Sequence, residues 1–252
     1  MTPEHKDKAL AAVSFFDRLP VPRRAELAAK AEAAQLPAGF PLAERGVPAT
    51  GLQVLVEGQV RLFLPPEEST IDIVGPGSLL GECALCDDAR HPVSAQAISP
   101  VVILDLRAED VWPVLLAETD ATLALLGAIS ANLKGLLGRV NDIKLRTTAQ
   151  RLAMFLVSLA RQPSAADRAA NNPAEGMVLT LPYGKKLIAE RLAMTPESLS
   201  RSLARLGREG VRAVGRTTVR IDDLDALALF AGLLPEEEND DDALHHAQGY
   251  WR

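Results

Sequence analysis

Cysteine is scarce in this 252-residue chain: there are two, Cys83 and Cys86. A pair three positions apart cannot staple a fold, so a disulfide framework is excluded and a reducing compartment is expected to keep both as thiols. One Cys-x-x-Cys also lacks the second pair of a structural zinc site. No uninterrupted run of about 18 apolar residues occurs, and the opening "MTPEHKDKAL" is too charged for a signal peptide. A soluble, cytoplasmic protein without a membrane partner is therefore expected. A glycine-rich phosphate loop, a nucleophile elbow and a histidine beside a plausible nucleophile are all missing, and two of the four histidines fall in the tail. Those absences argue against an enzyme.

What is present is enough apolar residue, 48%, to build the cores of two compact domains. The formal charge of −6 argues against a polyanionic partner only until it is divided by region. The tail "PEEENDDDALHHAQGYWR" carries six carboxylates and one arginine, a net −5. Between Gly184 and Arg220, nine basic residues stand against Glu190, Glu197 and Glu209, a local net of +6. The local field is what a polyanion meets. The tail itself reads as disordered, either a solubilising segment or an internal competitor for the basic face.

Helical periodicity predicts an opening helix over Pro3–Phe16 and a second in the Ala-rich half of "FFDRLPVPRRAELAAKAEAAQLPAGF". From Gly39 the pattern changes to short β-type runs, "LQVLVEGQVRLFL", "STIDIVGPGSLLGE" and "VSAQAISPVVILDL", which predict a small antiparallel barrel or jelly roll. Gly58 is expected at a tight hairpin, and Gly75, Gly77 and Gly81 in loops that need permissive dihedrals. A long helix follows over Asp120–Leu145. Its Leu126, Ile129, Leu133, Leu136, Val140 and Ile143 repeat at spacings of 3 and 4, a heptad seam that buries best against a second copy of itself, although packing on its own domain gives a similar pattern. Gly127, Gly135 and Gly138 weaken the helix, so it is expected to need a partner surface. The segment "TTAQRLAMFLVSLARQ" predicts a further helix, "PSAADRAANNPAEG" a loop, and "MVLTLP" a strand.

The stretch "YGKKLIAERLAMTPESLSRSLARLGREGVRAVGRTTVRI" divides into helix, turn, helix and hairpin. Leu187, Ile188 and Leu192 line one face of its first helix, and Ala189 permits close approach of the second. Thr195 is a good N-cap, Pro196 suits N1, and Gly210 suits C′. With Leu199, Leu203 and Leu206 toward the core, Glu197, Ser200 and Arg201 share the outward N-terminal face, and Arg205 and Arg208 continue it. Such a face reaches base edges when a helix-turn-helix enters the major groove. Arg201 can then donate to guanine O6 and N7, and Glu197 can accept from cytosine N4. Thr195, Ser198, Lys186, Arg205 and Arg216, the last on the hairpin wing, are the candidate phosphate contacts. The plainer alternative is a surface helical pair with solvated charges.

These motifs resemble the CRP/FNR superfamily of bacterial transcription regulators. "FFDRLP", "LVEGQVRLF" and "GPGSLLGE" are similar to its β-roll signatures, the heptad helix to its dimerisation helix, and "LIAERLAMTPESLSRSLARLGREGV" to its helix-turn-helix. The resemblance implies an α+β chain: a cyclic-nucleotide-binding-domain-like β-roll with flanking helices over 1–117, a dimerisation helix over 118–145, a winged helix-turn-helix over 146–234 and an acidic tail over 235–252. It also implies a homodimer on double-stranded DNA, with RNA polymerase as a further partner. The pattern Glu197-x-x-Ser200-Arg201 resembles that of members reading TTGAT-N4-ATCAA. In the sensor domain, Glu82 and His91 are the effector-pocket candidates. Glu82 matches a ribose contact of nucleotide-binding members, but "ARHPVSAQA" lacks their phosphate-binding Arg-Ser pair, which leaves Arg90 as the substitute cation. A cyclic nucleotide is thus the alternative effector. Two cysteines cannot hold an iron-sulfur cluster that needs four. The similarity of "RHPVSAQA" to a nitric-oxide-responsive branch implies a gas sensed through haem, with His5, His91, Cys83 and Cys86 as the candidate ligands. For these residues a loop histidine and small buried cysteines remain the plain alternatives.

Overall fold

The computed structural model describes residues 1–65, 69–86, 88–161 and 176–233. It divides into a first unit up to Lys134 and a second from Gly135 onward, the boundary falling inside the long helix. The loop expected after Arg161 and the acidic tail lie outside the described residues.

The first unit opens with α1 (Pro3–Ala11), α2 (Ser14–Asp17) and α3 (Val21–Lys30). The single helix expected over Pro3–Phe16 is thus broken. Val13 is extended, with φ −99° and ψ 121°, between α1 and α2. The break lets Val13, Phe15 and Phe16 all become buried, with the two rings 4.3 Å apart. A second departure follows α3: "EAAQL", read as helix, is strand β1 (Glu32–Leu36). Alanine favours a helix in isolation, but pairing with the last strand of the roll overrides that weak preference and turns Ala34 and Leu36 toward the core.

Seven more strands follow: β2 (Pro41–Ala43), β3 (Gly51–Glu57), β4 (Val60–Leu64), β5 (Ser69–Val74), β6 (Leu79–Leu80), β7 (Ser94–Ala97) and β8 (Val101–Arg107). They form two antiparallel four-stranded sheets in the orders β1-β8-β3-β6 and β2-β7-β4-β5, a jelly-roll arrangement. Parity decides which side each residue covers. Leu52, Val54, Leu104 and Leu106 pack on the helical layer, whereas Leu55, Val101 and Ile103 pack between the sheets. Gly58 does not close a hairpin, because β3 and β4 belong to different sheets; it is the corner at which the chain crosses between them. With φ +86° and a Cβ position only 2.2 Å from the Pro100 carbonyl oxygen, that corner admits glycine alone. Gly77 and Gly81 adopt positive φ as expected, but Gly75 does not.

After β8 come α4 (Ala108–Ala117) and α5 (Thr119–Leu145). At 27 residues α5 is long and apolar enough to cross a membrane by length and composition. Asp120, Lys134, Arg139, Asp142 and Lys144 interrupt it.

The second unit contains the end of α5, α6 (Thr148–Arg161), β9 (Met177–Thr180), α7 (Lys185–Arg191), α8 (Pro196–Leu206), a 3₁₀ turn over Gly207–Glu209, β10 (Val211–Ala213), β11 (Thr218–Ile221) and α9 (Leu224–Phe230). The amphipathic α6 buries Leu152, Phe155, Leu156 and Val157 and packs against α8 and α9. The three strands form an antiparallel sheet in the order β10-β11-β9. The "MVLTLP" strand therefore completes the wing sheet.

Candidate nucleic-acid interface and effector cavity

Helices α7 and α8 are joined by a tight turn in which Ala193 adopts φ 49°, the one non-glycine positive φ among the described residues. Arg151 of α6 stabilises this turn: its Nη1 donates to the Leu192 carbonyl at 2.6 Å and to the Ala193 carbonyl at 3.2 Å. Burial pushes the Arg151 guanidinium pKa down, and Asp142 opposes the shift. Sequence reasoning missed this residue. The available signal was a cation on an otherwise apolar helix face.

Thr195 caps α8 as expected, its hydroxyl accepting from the Ser198 N–H at 3.2 Å, with Pro196 at N1. Leu199 and Leu206 are buried, but Leu203 is only partly so. Ser202 takes the buried place expected for Leu203, and its hydroxyl donates to that of Thr148 at 3.0 Å. Both residues flank the Leu199–Leu206 stripe, on opposite sides, and α6 lies on the serine side. The helix also continues into the 3₁₀ turn before Gly210, so Gly210, at φ 77°, ends that turn and is not the C′ residue of α8 itself.

Glu197, Ser200, Arg201 and Arg205 are exposed along α8, and Arg208 is exposed in the 3₁₀ turn that follows it. Their first turn is ordered by short contacts. Arg201 Nη2 donates to Ser198 Oγ at 3.1 Å, Thr195 Oγ1 lies 3.2 Å from the same oxygen, and Ser200 Oγ donates back to the Pro196 carbonyl at 3.0 Å. The Glu197 carboxyl is held below its ordinary range, first by the Thr195 hydroxyl, then by its own backbone N–H and the Arg201 charge. It therefore stands ionised as an acceptor beside a cationic donor. Lys186 is exposed 4.0 Å from Glu190, and Arg216 is exposed at the tip of the β10–β11 hairpin. Arg205 sits over the Phe230 ring at 5.9 Å. Two members of the cationic island are otherwise engaged: Arg191 donates to the Tyr183 hydroxyl, and Arg212 pairs with Asp222 at 3.1 Å.

In the first unit, Gly81 adopts φ +81° where a Cβ would lie 2.4 Å from the Gly51 carbonyl oxygen. That close approach starts the 3₁₀ turn Glu82–Leu85, which delivers Glu82 to a cavity of about 180 Å³ shared with α4 and α5. Glu82, Cys86, Trp112, Thr122, Leu126 and Ile129 are among its walls, the rest being leucines. Burial raises the Glu82 pKa, opposed by its own backbone N–H.

The side chains expected to bind an effector or haem are dispersed. Glu82 and Cys86 line the cavity; His91 does not. Its Nδ1 instead lies 3.9 Å from Cys83 Sγ. Burial lowers the His91 pKa, while burial and then the Glu82 charge raise that of Cys83, so the pair is neutral. His5 is in α1, with Nδ1 2.6 Å from the Thr2 hydroxyl. Among the described residues no three His, Cys, Asp or Glu side chains gather to hold a metal ion. Arg90 donates to the Gly46 carbonyl at 2.8 Å and lies 3.6 Å from Asp88, so its guanidinium is already engaged.

The six heptad residues of α5 remain exposed in the single chain, from 45% at Leu136 to 59% at Leu126. Ala121 and Leu125, off that stripe, are the ones that pack on the first unit's own core.

Comparison with known proteins separates the same two regions. Residues 33–118 match the family model of the cyclic nucleotide-binding domain, and residues 150–230 match that of the Crp-like helix-turn-helix domain. The chain is 28% identical over 196 residues to the cyclic AMP receptor protein of Thermus thermophilus, a match covering 73% of this chain and 81% of that one. It is 26% identical over 197 residues to the fumarate and nitrate reduction regulatory protein of Salmonella typhimurium, covering 77% and 76%. A solved transcriptional regulator of the CRP family from Thermus thermophilus is also similar, with 26% identity, a TM-score of 0.52, and 79% of this chain and 96% of that chain covered.

Proposed function

The chain belongs to the CRP/FNR superfamily of DNA-binding transcription regulators with an effector-binding domain, and from that membership we propose that it acts as a homodimer on a two-fold symmetric operator of the form TTGAT-N4-ATCAA. The observation that carries this reading is the capped first turn of α8, where Glu197, Ser200 and Arg201 stand exposed and ordered. Inserted in the major groove, Arg201 donates to guanine O6 and N7, Glu197 accepts from cytosine N4, and Ser200 completes the base contacts. Thr195, Ser198, Lys186, Arg205 and Arg216 fix the register on phosphates.

The exposed seam Leu126, Ile129, Leu133, Leu136, Val140 and Ile143 supports dimerisation, as an apolar stripe that a second copy would bury. On a two-fold operator the two recognition helices would read half-sites about 34 Å apart, one turn of DNA. The reading entails a cytoplasmic location, no catalytic activity, and transcriptional output through RNA polymerase.

An effector in the first unit would act by binding the DNA-competent state more tightly than the other. A cyclic nucleotide suits the cavity poorly, because among the described residues no cation lines it and Arg90 reaches Gly46 and Asp88 instead. A gas sensed through haem remains the expectation from the resemblance, but the residues here do not fit a haem. Only Cys86 of the four candidate ligands lines the cavity, and about 180 Å³ is small beside the roughly 300–1,000 Å³ of larger ligand pockets. A small, mostly apolar effector fits better.

A gel-shift titration tests the DNA reading. The palindrome should bind about a thousandfold or more tighter than a scrambled duplex at physiological salt. Equal affinity for the two would overturn it.

A further inference from the structure

The cavity beside Glu82 has a chemistry that neither the family models nor the relatives specify. Among the described residues its walls are leucines, Ile129 and Trp112, with Thr122 and Cys86 as small polar members and Glu82 as the single charged group; Trp112, Leu116, Leu126 and Ile129 stay exposed, so the cavity opens to solvent. Thr122 is occupied: its hydroxyl donates to the Leu115 carbonyl at 2.7 Å. The Glu82 carboxylate has no hydrogen bond or ion pair to any described side chain. The side chain is half-buried and its oxygens still meet solvent, so a ligand that brings a donor replaces water at a carboxylate partly withdrawn from it. An anion there would meet a like charge and, among the described residues, no cation, which disfavours organic acids and phosphates.

Size narrows the ligand further. A cavity of about 150 Å³ lined by aliphatic side chains takes up benzene; this one, at about 180 Å³, has room for a single ring or short alkyl body with a tail of a few atoms. An aromatic wall beside a carboxylate is the pairing that holds an organic ammonium, the ring face and the carboxylate both favouring positive charge. We propose that this cavity binds a small monocationic amine with an apolar body, its ammonium donating to Glu82 and its body lying between Trp112 and the leucines of α4 and α5. The proposal rests on the reading of this cavity as the effector site and makes that effector a cation.

Leu126 and Ile129 belong both to the cavity wall and to the exposed heptad seam. The amine site is therefore bounded by the dimer helix itself. A bound amine and a second copy of α5 contact the same side chains.

The test uses the full-length protein titrated calorimetrically with 2-phenylethylamine, 2-phenylethanol and 3-phenylpropionate, which share a phenyl body and differ at the tail in charge. Trp112 fluorescence gives a second reading. The amine should bind one molecule per chain, about tenfold or more tighter than the alcohol, with no measurable binding of the acid. Glu82→Gln should remove that preference while the alcohol still binds, which also shows that the variant is folded. Trp112→Leu should weaken the amine more than the alcohol. Absence of amine binding, equal binding of the alcohol or acid, or an unchanged amine preference in Glu82→Gln would each overturn the proposal. Operator affinity is measured separately on the same preparations. Its loss bears on the regulator reading and leaves the amine titration interpretable.

Discussion

Arg151 on α6 donates to the carbonyl oxygen of Leu192 at 2.6 Å, reaching from the helix that supports the DNA-binding body to the turn that aims its recognition helix. The same nitrogen also reaches the Ala193 carbonyl. Two backbone acceptors in a tight turn are thus satisfied by one charged side chain. Replacing Arg151 by Met keeps the stem and removes both bonds. Hydrogen bonds to charged groups contribute roughly 1.5–3 kcal/mol, so Arg151→Met should destabilise the protein by about 2 kcal/mol in urea unfolding. Operator affinity should fall with it, because the angle between α7 and α8 is no longer held.

Ala193 carries backbone strain in that turn. A left-handed conformation costs an L-residue about 1–2 kcal/mol, and glycine pays none of it but loses about 0.4–1 kcal/mol through its freer unfolded chain. The balance favours Ala193→Gly by roughly 0.5–1 kcal/mol. A higher urea midpoint at unchanged slope is the expected result; a lower one would mean that the turn does not need its positive φ.

Base contacts and phosphate contacts should separate under mutation. Arg201→Ala should cost about 1–3 kcal/mol on the TTGAT-N4-ATCAA site and relax selectivity at one guanine. Arg216→Ala, at the wing tip, should weaken specific and scrambled DNA alike and reduce the salt slope by about 1 per chain. Fluorescence anisotropy over a range of salt concentrations distinguishes the two patterns.

The seam of α5 predicts a concentration-dependent assembly. Leu133→Glu places a charge in the middle of a stripe that a second copy must desolvate, a step that costs several kcal/mol for an unpaired ion. Analytical ultracentrifugation should show dimer for the parent chain and monomer for the variant. Operator binding should then lose its two-site character.

Glu82 gives a pH dependence whose sign can be worked out. Burial raises its pKa in the folded state above the ordinary 4.5. The folded state therefore holds that proton more tightly than the unfolded one, and stability declines as pH rises from about 4.5 through the folded-state pKa. A Gln cannot titrate. Glu82→Gln should raise the melting temperature at pH 7, and the advantage should shrink toward zero as pH falls below 4.5. An advantage that persists at low pH would place the effect elsewhere.

Much of the recognition helix was legible in the chain because its signals are local. Thr195, Pro196 and the positive φ of Gly210 each act within one turn of backbone, and the exposure of Glu197, Ser200 and Arg201 follows from where Leu199 and Leu206 point. The buried Ser202 was not legible. A serine on the flank of a leucine stripe becomes interior only when a particular neighbour, here Thr148, comes to meet it. The sensor region was harder still. Cys83, Cys86 and His91 lie within nine positions of one another, yet the 3₁₀ turn sends Cys86 to the cavity and leaves Cys83 against His91.

The sequence by itself determined the helix caps, the heptad stripe, the cationic island and the succession of short strands, since each depends on spacing within a few residues. Tertiary structure alone decided that Gly58 turns a corner between sheets, that the alanine-rich "EAAQL" becomes an edge strand beside β8, and that Glu82 faces an apolar cavity with no ion-pair partner among the described residues. These outcomes depend on pairings between segments tens of residues apart. In such pairings, register and burial outweigh the few tenths of a kcal/mol by which local propensities differ.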